Sequence, residues 1–100
     1  MNNLVAANLS EIKDLMQSYG VIKASLFGSA AKNEMTEDSD VDFIVSFDPD
    51  LNYTDYGDNY FKLLYALQDL LKRDVDIVAE ETVTNPYLLK TINSQRIAVL

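Results

Sequence analysis

The chemistry-bearing pattern of this chain lies at residues 26–45: Leu26-Phe27-Gly28-Ser29, a ten-residue gap, then Asp40-Val41-Asp42-Phe43-Ile44-Val45. Gly28 and Ser29 follow an apolar run with the character of a strand. Asp40 and Asp42 stand at the mouth of the next one. Side chains at i and i+2 of a strand point to the same face. Two carboxylates so placed repel each other unless a cation sits between them. A Gly-Ser turn beside them offers backbone N–H groups to an anion. A carboxylate pair for a divalent metal next to a cradle for phosphate is equipment for nucleotide chemistry.

Composition narrows the chemistry further. The chain has no Cys and no His, which excludes thiol chemistry, imidazole bases and ordinary zinc sites. Catalysis is left to carboxylates, hydroxyls, backbone donors and a hard metal ion. The formal charge is −8 and the pI about 4.2, which argues against direct binding of a nucleic-acid backbone. Mg²⁺ could still bring a nucleotide to an acidic protein. At 100 residues and 48% hydrophobic the expectation is one domain over 1–100 with an ordinary core. No apolar run reaches the ~18 residues of a membrane span, and the first residues lack the basic and apolar regions of a secretion signal. A cytoplasmic location is the expectation.

The elements that must position the motif follow from periodicity. Leu9, Ile12, Met16 and Tyr19 form a helical stripe over 9–19, with Asn8 or Ser10 as N-cap and Gly20 as terminator. Residues 21–27 read as a strand, Ser29 to about Glu34 as a short helix, and 41–47 as a second strand. Asp48 to Asn59, with Pro49 and Gly57, reads as a loop. Tyr60, Leu63, Leu64, Leu67, Leu70 and Leu71 then fit a helix without a gap, with Lys72 and Arg73 suited to its C-terminal dipole. Val75 to Ala79 is a third strand. Asn85-Pro86 starts a helix running to about Ser94, and Ile97 to Leu100 is a last short strand. The order is α-β-α-β-α-β-α-β. If Gly28-Ser29 and Asp40 meet at one site, the first two strands run antiparallel. The sheet is then mixed, with four strands and helices packed on it, an α/β (α+β) fold.

With Ser39 before the first Asp, Phe43-Ile44-Val45 after the pair, and Val75-Asp76-Ile77-Val78 downstream, the chain resembles the minimal nucleotidyltransferase (MNT) family of the polymerase-β superfamily. The resemblance covers nearly the whole chain and implies the nucleotidyltransferase fold. It implies that Asp40 and Asp42 are ligands for Mg²⁺ and that Asp76 is a ligand or general base near the attacking hydroxyl. Gly28 and Ser29 would hold the β- and γ-phosphates of a nucleoside triphosphate, with Lys32 as a further phosphate contact. Where the family commonly has Ala-Arg-Gly, this chain has Ala31-Lys32-Asn33, which keeps the charge and loses the bidentate fork. Asp74 adds a negative charge where a basic residue is common.

Each sharp reading has a bland counterpart. Asp40 and Asp42 could belong to a solvated acidic loop with Glu37 and Asp38, yet Asp42 lies within a strand, where Asp is depleted. A calcium loop from Asp38 fails because Phe43 takes the place of the turn glycine and Pro49 that of the final Glu. Gly28-Ser29 serves equally as a strand-ending turn and helix cap. Asp76 could be a surface strand residue, with Asp74 competing for its role by spacing. Lys32 could simply be solvated. The leucine stripe at 60–71 is core.

The expected function is Mg²⁺-dependent transfer of AMP from ATP to a hydroxyl. The resemblance implies a HEPN-domain toxin as partner, with a tyrosine hydroxyl as acceptor and this chain as antitoxin in a homo- or hetero-oligomer. The alternative is a non-catalytic MNT-fold module that neutralises its partner by contact. Transfer to a small molecule would call for an acceptor-binding domain. Acidic residues interleaved with Tyr53 and Tyr56 suggest that the 48–59 segment contacts a basic partner surface. Equally open is that these tyrosines fold back over the sheet or shape the nucleotide pocket.

Overall fold

The computed structural model describes residues 3–28, 31 and 39–100. Two helices, α1 (Asn3–Ala7) and α2 (Leu9–Ser18), lead into β1 (Val21–Phe27); β2 is Val41–Phe47 and α3 is Tyr53–Leu71. Then come β3 (Val75–Ala79), a 3-10 turn (Glu80–Thr82), α4 (Pro86–Gln95) and β4 (Ile97–Ala98). The four strands lie in the order β3-β2-β1-β4. β1 is antiparallel to both β2 and β4, whereas β2 and β3 are parallel. The mixed sheet expected from the motif is therefore present.

Alternation divides the sheet into two faces. Val41, Phe43, Val45 and Phe47 of β2 join Ala24, Leu26, Val75 and Ile77 in one apolar cluster with Ile12 and Met16 of α2 and Leu63, Leu67 and Leu71 of α3. Burying each of these side chains larger than alanine stabilises the fold by about 1.5–3 kcal/mol. By the period of two, the other face carries Ser25, Asp42, Ile44, Asp76 and Val78. Arg96, just after α4, reaches this second face: its Nε donates to Ser25 Oγ (3.1 Å) and its Nη1 to Asn93 Oδ1 (2.9 Å).

Three boundaries differ from the expectations. The 48–59 segment is not all loop, because α3 begins at Tyr53. Asn52 caps it by accepting the Asp55 N–H at 2.8 Å, and Asp55 favours the positive end of the dipole. Gly57 is tolerated inside this helix, where an added Cβ would meet nothing within 4 Å. Asn8 takes the N-cap position of α2, but its side chain turns back to donate to the Leu4 carbonyl and gives α2 no side-chain cap. That bond ties α2 to α1, a helix that no clear periodicity announces. The last strand is short, although Val99 and Leu100 still donate to the Ala24 carbonyl. The helix expected from Ser29 to Glu34 falls outside the described residues. Among the described residues, no helix is long and apolar enough to cross a membrane.

Tyr60 faces inward from α3 far enough for its hydroxyl to donate to the Ile77 carbonyl of the edge strand β3 at 2.7 Å. α3 thus packs on the sheet through leucines and is pinned to its edge by one polar contact. Replacing fully buried Leu67 by Ala is expected to lower the unfolding free energy by about 2–5 kcal/mol in urea denaturation. A loss under about 1 kcal/mol would place the core elsewhere.

Candidate active site

The end of β1, the start of β2 and the start of β3 meet along one register row. Phe27 pairs with Asp42 across the antiparallel ladder, and Asp42 pairs with Asp76 across the parallel one. Register partners in a sheet project to the same face, so the carboxylates of Asp42 and Asp76 share it. Asp40 stands just before β2, exposed to solvent, with Asp42 half-buried and Asp76 exposed. The corner after α3 fixes this approach. Arg73 Nη1 donates to the Ser39 carbonyl at 3.2 Å, and the Val41 N–H donates to the Asp74 carbonyl at 3.0 Å.

Gly28 closes the row from the β1 side. Its φ is +70°, and a Cβ there would lie 2.6 Å from Asp42 Oδ2. A side chain would therefore suffer both backbone strain and a collision with the carboxylate. The site needs a bare Cα at this point, and glycine supplies it. Burial is the main cause that raises the Asp42 pKa above its ordinary 3.8, followed by the negative charges of Asp76 and then Asp40. Charge on Asp42 is thus costly in the protein alone, and a cation would relieve the cost. The donors are all oxygen, which suits a hard ion such as Mg²⁺. Among the described residues no three acidic side chains form a ready-made cage. Water and substrate oxygens would complete a coordination shell, as is usual for Mg²⁺.

The structure thus brings together Gly28, Asp42 and Asp76, with Asp40 beside them. Ser29 and Lys32, the other expected nucleotide contacts, lie outside the described residues. Arg73 is the positioning residue that periodicity missed, because its sequence place suits a helix dipole equally well. Its partner lies 34 residues away, so no local pattern signals the bond. Asp74, the rival of Asp76 by spacing, uses its backbone carbonyl to hold the start of β2.

Residues 9–99 match the family model described as nucleotidyltransferase domain. The chain belongs to the nucleotidyltransferase family. A Methanocaldococcus jannaschii protein, named as a candidate protein adenylyltransferase, is 36% identical over 99 residues, covering 91% of this chain and 97% of that one. A solved structure of a candidate minimal nucleotidyltransferase superposes with a TM-score of 0.79 at 31% identity, covering 97% of this chain and 95% of the other. A minimal nucleotidyltransferase is thus the form of the family that the chain takes. The fold also recurs, at 21% identity and a TM-score of 0.67, in the complex of a tri-AMPylated Shewanella oneidensis HEPN toxin with its MNT antitoxin; the match covers 95% of this chain and 71% of that one.

The like-charge row has a measurable consequence for the metal-free nucleotidyltransferase. Opposed like charges in a sheet destabilise by about 0.2–1 kcal/mol, so Asp42→Asn should raise the Tm by roughly 1–8 °C at pH 7. Because the folded pKa is raised, the penalty grows as pH rises from the unfolded value through the folded one. It is fully present above the folded pKa and absent well below 3.8. The Tm difference between parent and variant should therefore close on acidification below about pH 4. A difference independent of pH would remove Asp42 charge as its source.

Proposed function

We propose that this chain transfers AMP from ATP, in the presence of Mg²⁺, to a tyrosine hydroxyl of a HEPN-domain toxin and thereby acts as its antitoxin. The observation that carries the reading is the Asp42–Asp76 row, flanked by Asp40 and closed by the bare Cα of Gly28. Support for the acceptor comes from the like-folded MNT antitoxin bound to its tri-AMPylated HEPN toxin.

Asp40 and Asp42 are the proposed holders of Mg²⁺, which when bound would neutralise charge developing on the phosphate oxygens. Asp76, exposed beside Asp42, would take the proton of the acceptor hydroxyl. The hydroxyl oxygen forms a bond to the α-phosphorus as the α–β bridging bond breaks, and pyrophosphate leaves. The turn at Gly28 and Ser29 would offer N–H groups to the β- and γ-phosphates, with Lys32 as a proposed countercharge. Gly28 serves twice in this scheme, since its missing side chain leaves room for the Asp42 carboxylate.

The test uses α-labelled ATP, Mg²⁺ and a HEPN-domain toxin as the acceptor. Label should appear on the toxin, and Asp40→Ala or Asp42→Ala should lower the rate at least about a hundredfold with the far-UV circular dichroism unchanged. Toxin neutralised without label would hand the chain to the contact-only reading. Gly28→Val should raise the KM for ATP by about tenfold or more, and Ser29→Ala by less, because backbone donors remain. Equal ATP affinity in parent and Gly28→Val would remove this turn from the phosphate site.

A further inference from the structure

At the far end of β2 from Asp42, a cleft of about 1080 Å³ opens beside the 3-10 turn and the faces of α3 and α4 that border it. Small-ligand pockets run to roughly 300–1,000 Å³, so this one stands at the upper end of that range. Its apolar lining includes Phe47, Tyr56, Val83 and Leu89. Phe47 and Tyr56 pack against each other with ring centroids 4.8 Å apart. Tyr56 is thus one of the tyrosines that fold back, and the side chain of Tyr53 lies outside the described residues.

The charge of the lining is of one sign. Asp48, Glu80 and Glu81 border the cleft, and neither lysine nor arginine is among its described lining residues. Glu80 is already matched: its buried Oε1 meets Arg96 Nη1 as an ion pair, without the alignment of a hydrogen bond. Arg96 also holds Asn93 of α4, so one guanidinium clips the turn and the helix together and preforms two walls. Glu81 is exposed, with only a long 3.5 Å contact from the Tyr56 hydroxyl. No such cation matches Asp48 or Glu81 among the described residues.

The geometry points to this cleft as a docking site for a basic peptide segment of the partner protein, with a bulky apolar side chain on its floor and Lys or Arg against Glu81 and Asp48. Ownership of that segment by the AMP acceptor rests on the transfer reading above; the docking itself does not. Ser46 at the cleft lies four steps along β2 from Asp42, about 13 Å of strand. An acceptor gripped there is held away from the chemistry, which a folded protein can span. The carboxylates repel a triphosphate, so the nucleotide is the disfavoured occupant.

Phage-displayed random dodecapeptides selected on the whole protein test the docking, with the enriched sequences synthesised for titration. Expected are peptides with Lys or Arg next to a bulky apolar residue, shifting the amide resonances of Val83 and Leu89. Glu81→Lys, an exposed change that should leave the Tm alone, and Asp48→Lys should each weaken binding by about tenfold or more. Asp42→Asn should bind as the parent does. No enrichment, acidic peptides, indifference to Glu81→Lys, or displacement by ATP would each overturn the proposal. If the parent binds such peptides but transfers no AMP, the transfer reading falls alone. If it labels the toxin with a KM for the toxin unchanged by Glu81→Lys, ownership of the segment by the acceptor falls alone.

Discussion

The contact between the Asp42 carboxylate and the bare Cα of Gly28 is the constraint around which the sheet is organised. Asp42 Oδ2 lies 2.6 Å from where a β-carbon of residue 28 would sit, so the end of β1 and the start of β2 must abut. That requires antiparallel strands, and the ladder from Val21↔Phe47 to Phe27↔Asp42 supplies them. Asp76 adds a second requirement. To stand in the Asp42 row near the start of its own strand, it must come from a strand parallel to β2. A sheet meeting both conditions is mixed, and the parallel pair needs a long crossover, which contains α3. The leucine stripe of α3 then provides the apolar burial that holds a row of like charges together.

This division of labour explains what could be seen in the sequence. The direction of Asp42, away from the core face of β2, was legible because strand alternation is a local rule, whereas Asp76 was singled out by the family resemblance, since Asp74 competes with it by spacing. α3 was legible from Tyr60 onward by its stripe, but its first turns were not. Asp-rich sequence and Gly57 suggest a breaker, whereas the Asn52 cap and the open space beside Gly57 make helix acceptable there. A helix can carry glycine at a cost of about 1 kcal/mol when tertiary packing holds its neighbours, and Tyr56 packs on Phe47. The long-range polar bonds were not legible at all. Arg73 reaches Ser39 across 34 residues and Arg96 reaches Ser25 across 71. No periodicity encodes such pairings, because they arise only after the sheet has assembled.

The two arginines make related use of that assembly. Arg73 binds a backbone carbonyl directly before Asp40 and steadies the approach to the carboxylates. Arg96 joins β1, α4 and the 3-10 turn at the opposite end of the same sheet. A chain with only 8 basic residues against 16 acidic ones has few cations to use internally. Placing two at corners leaves both ends of β2 negative, with Asp40 and Asp42 at one and Asp48 at the other.

An acidic site of this kind couples ligand binding to stability. Burial and its acidic neighbours raise the Asp42 pKa, so ionising Asp42 in the folded protein alone carries an electrostatic penalty. Anything that supplies positive charge to the row removes that penalty and adds its own binding free energy to the folded state. The metal and nucleotide proposed for this site would then bind cooperatively. Each carboxylate that the metal neutralises also lowers the repulsion felt by an incoming triphosphate. The acidic surface that excludes anions from the empty site therefore becomes, once neutralised, compatible with a polyanionic substrate. In the proposed scheme the bare Cα of Gly28 would keep the approach to that substrate short. Charge repulsion in the free protein and nucleotide affinity in the loaded one would then be two consequences of a single row of side chains.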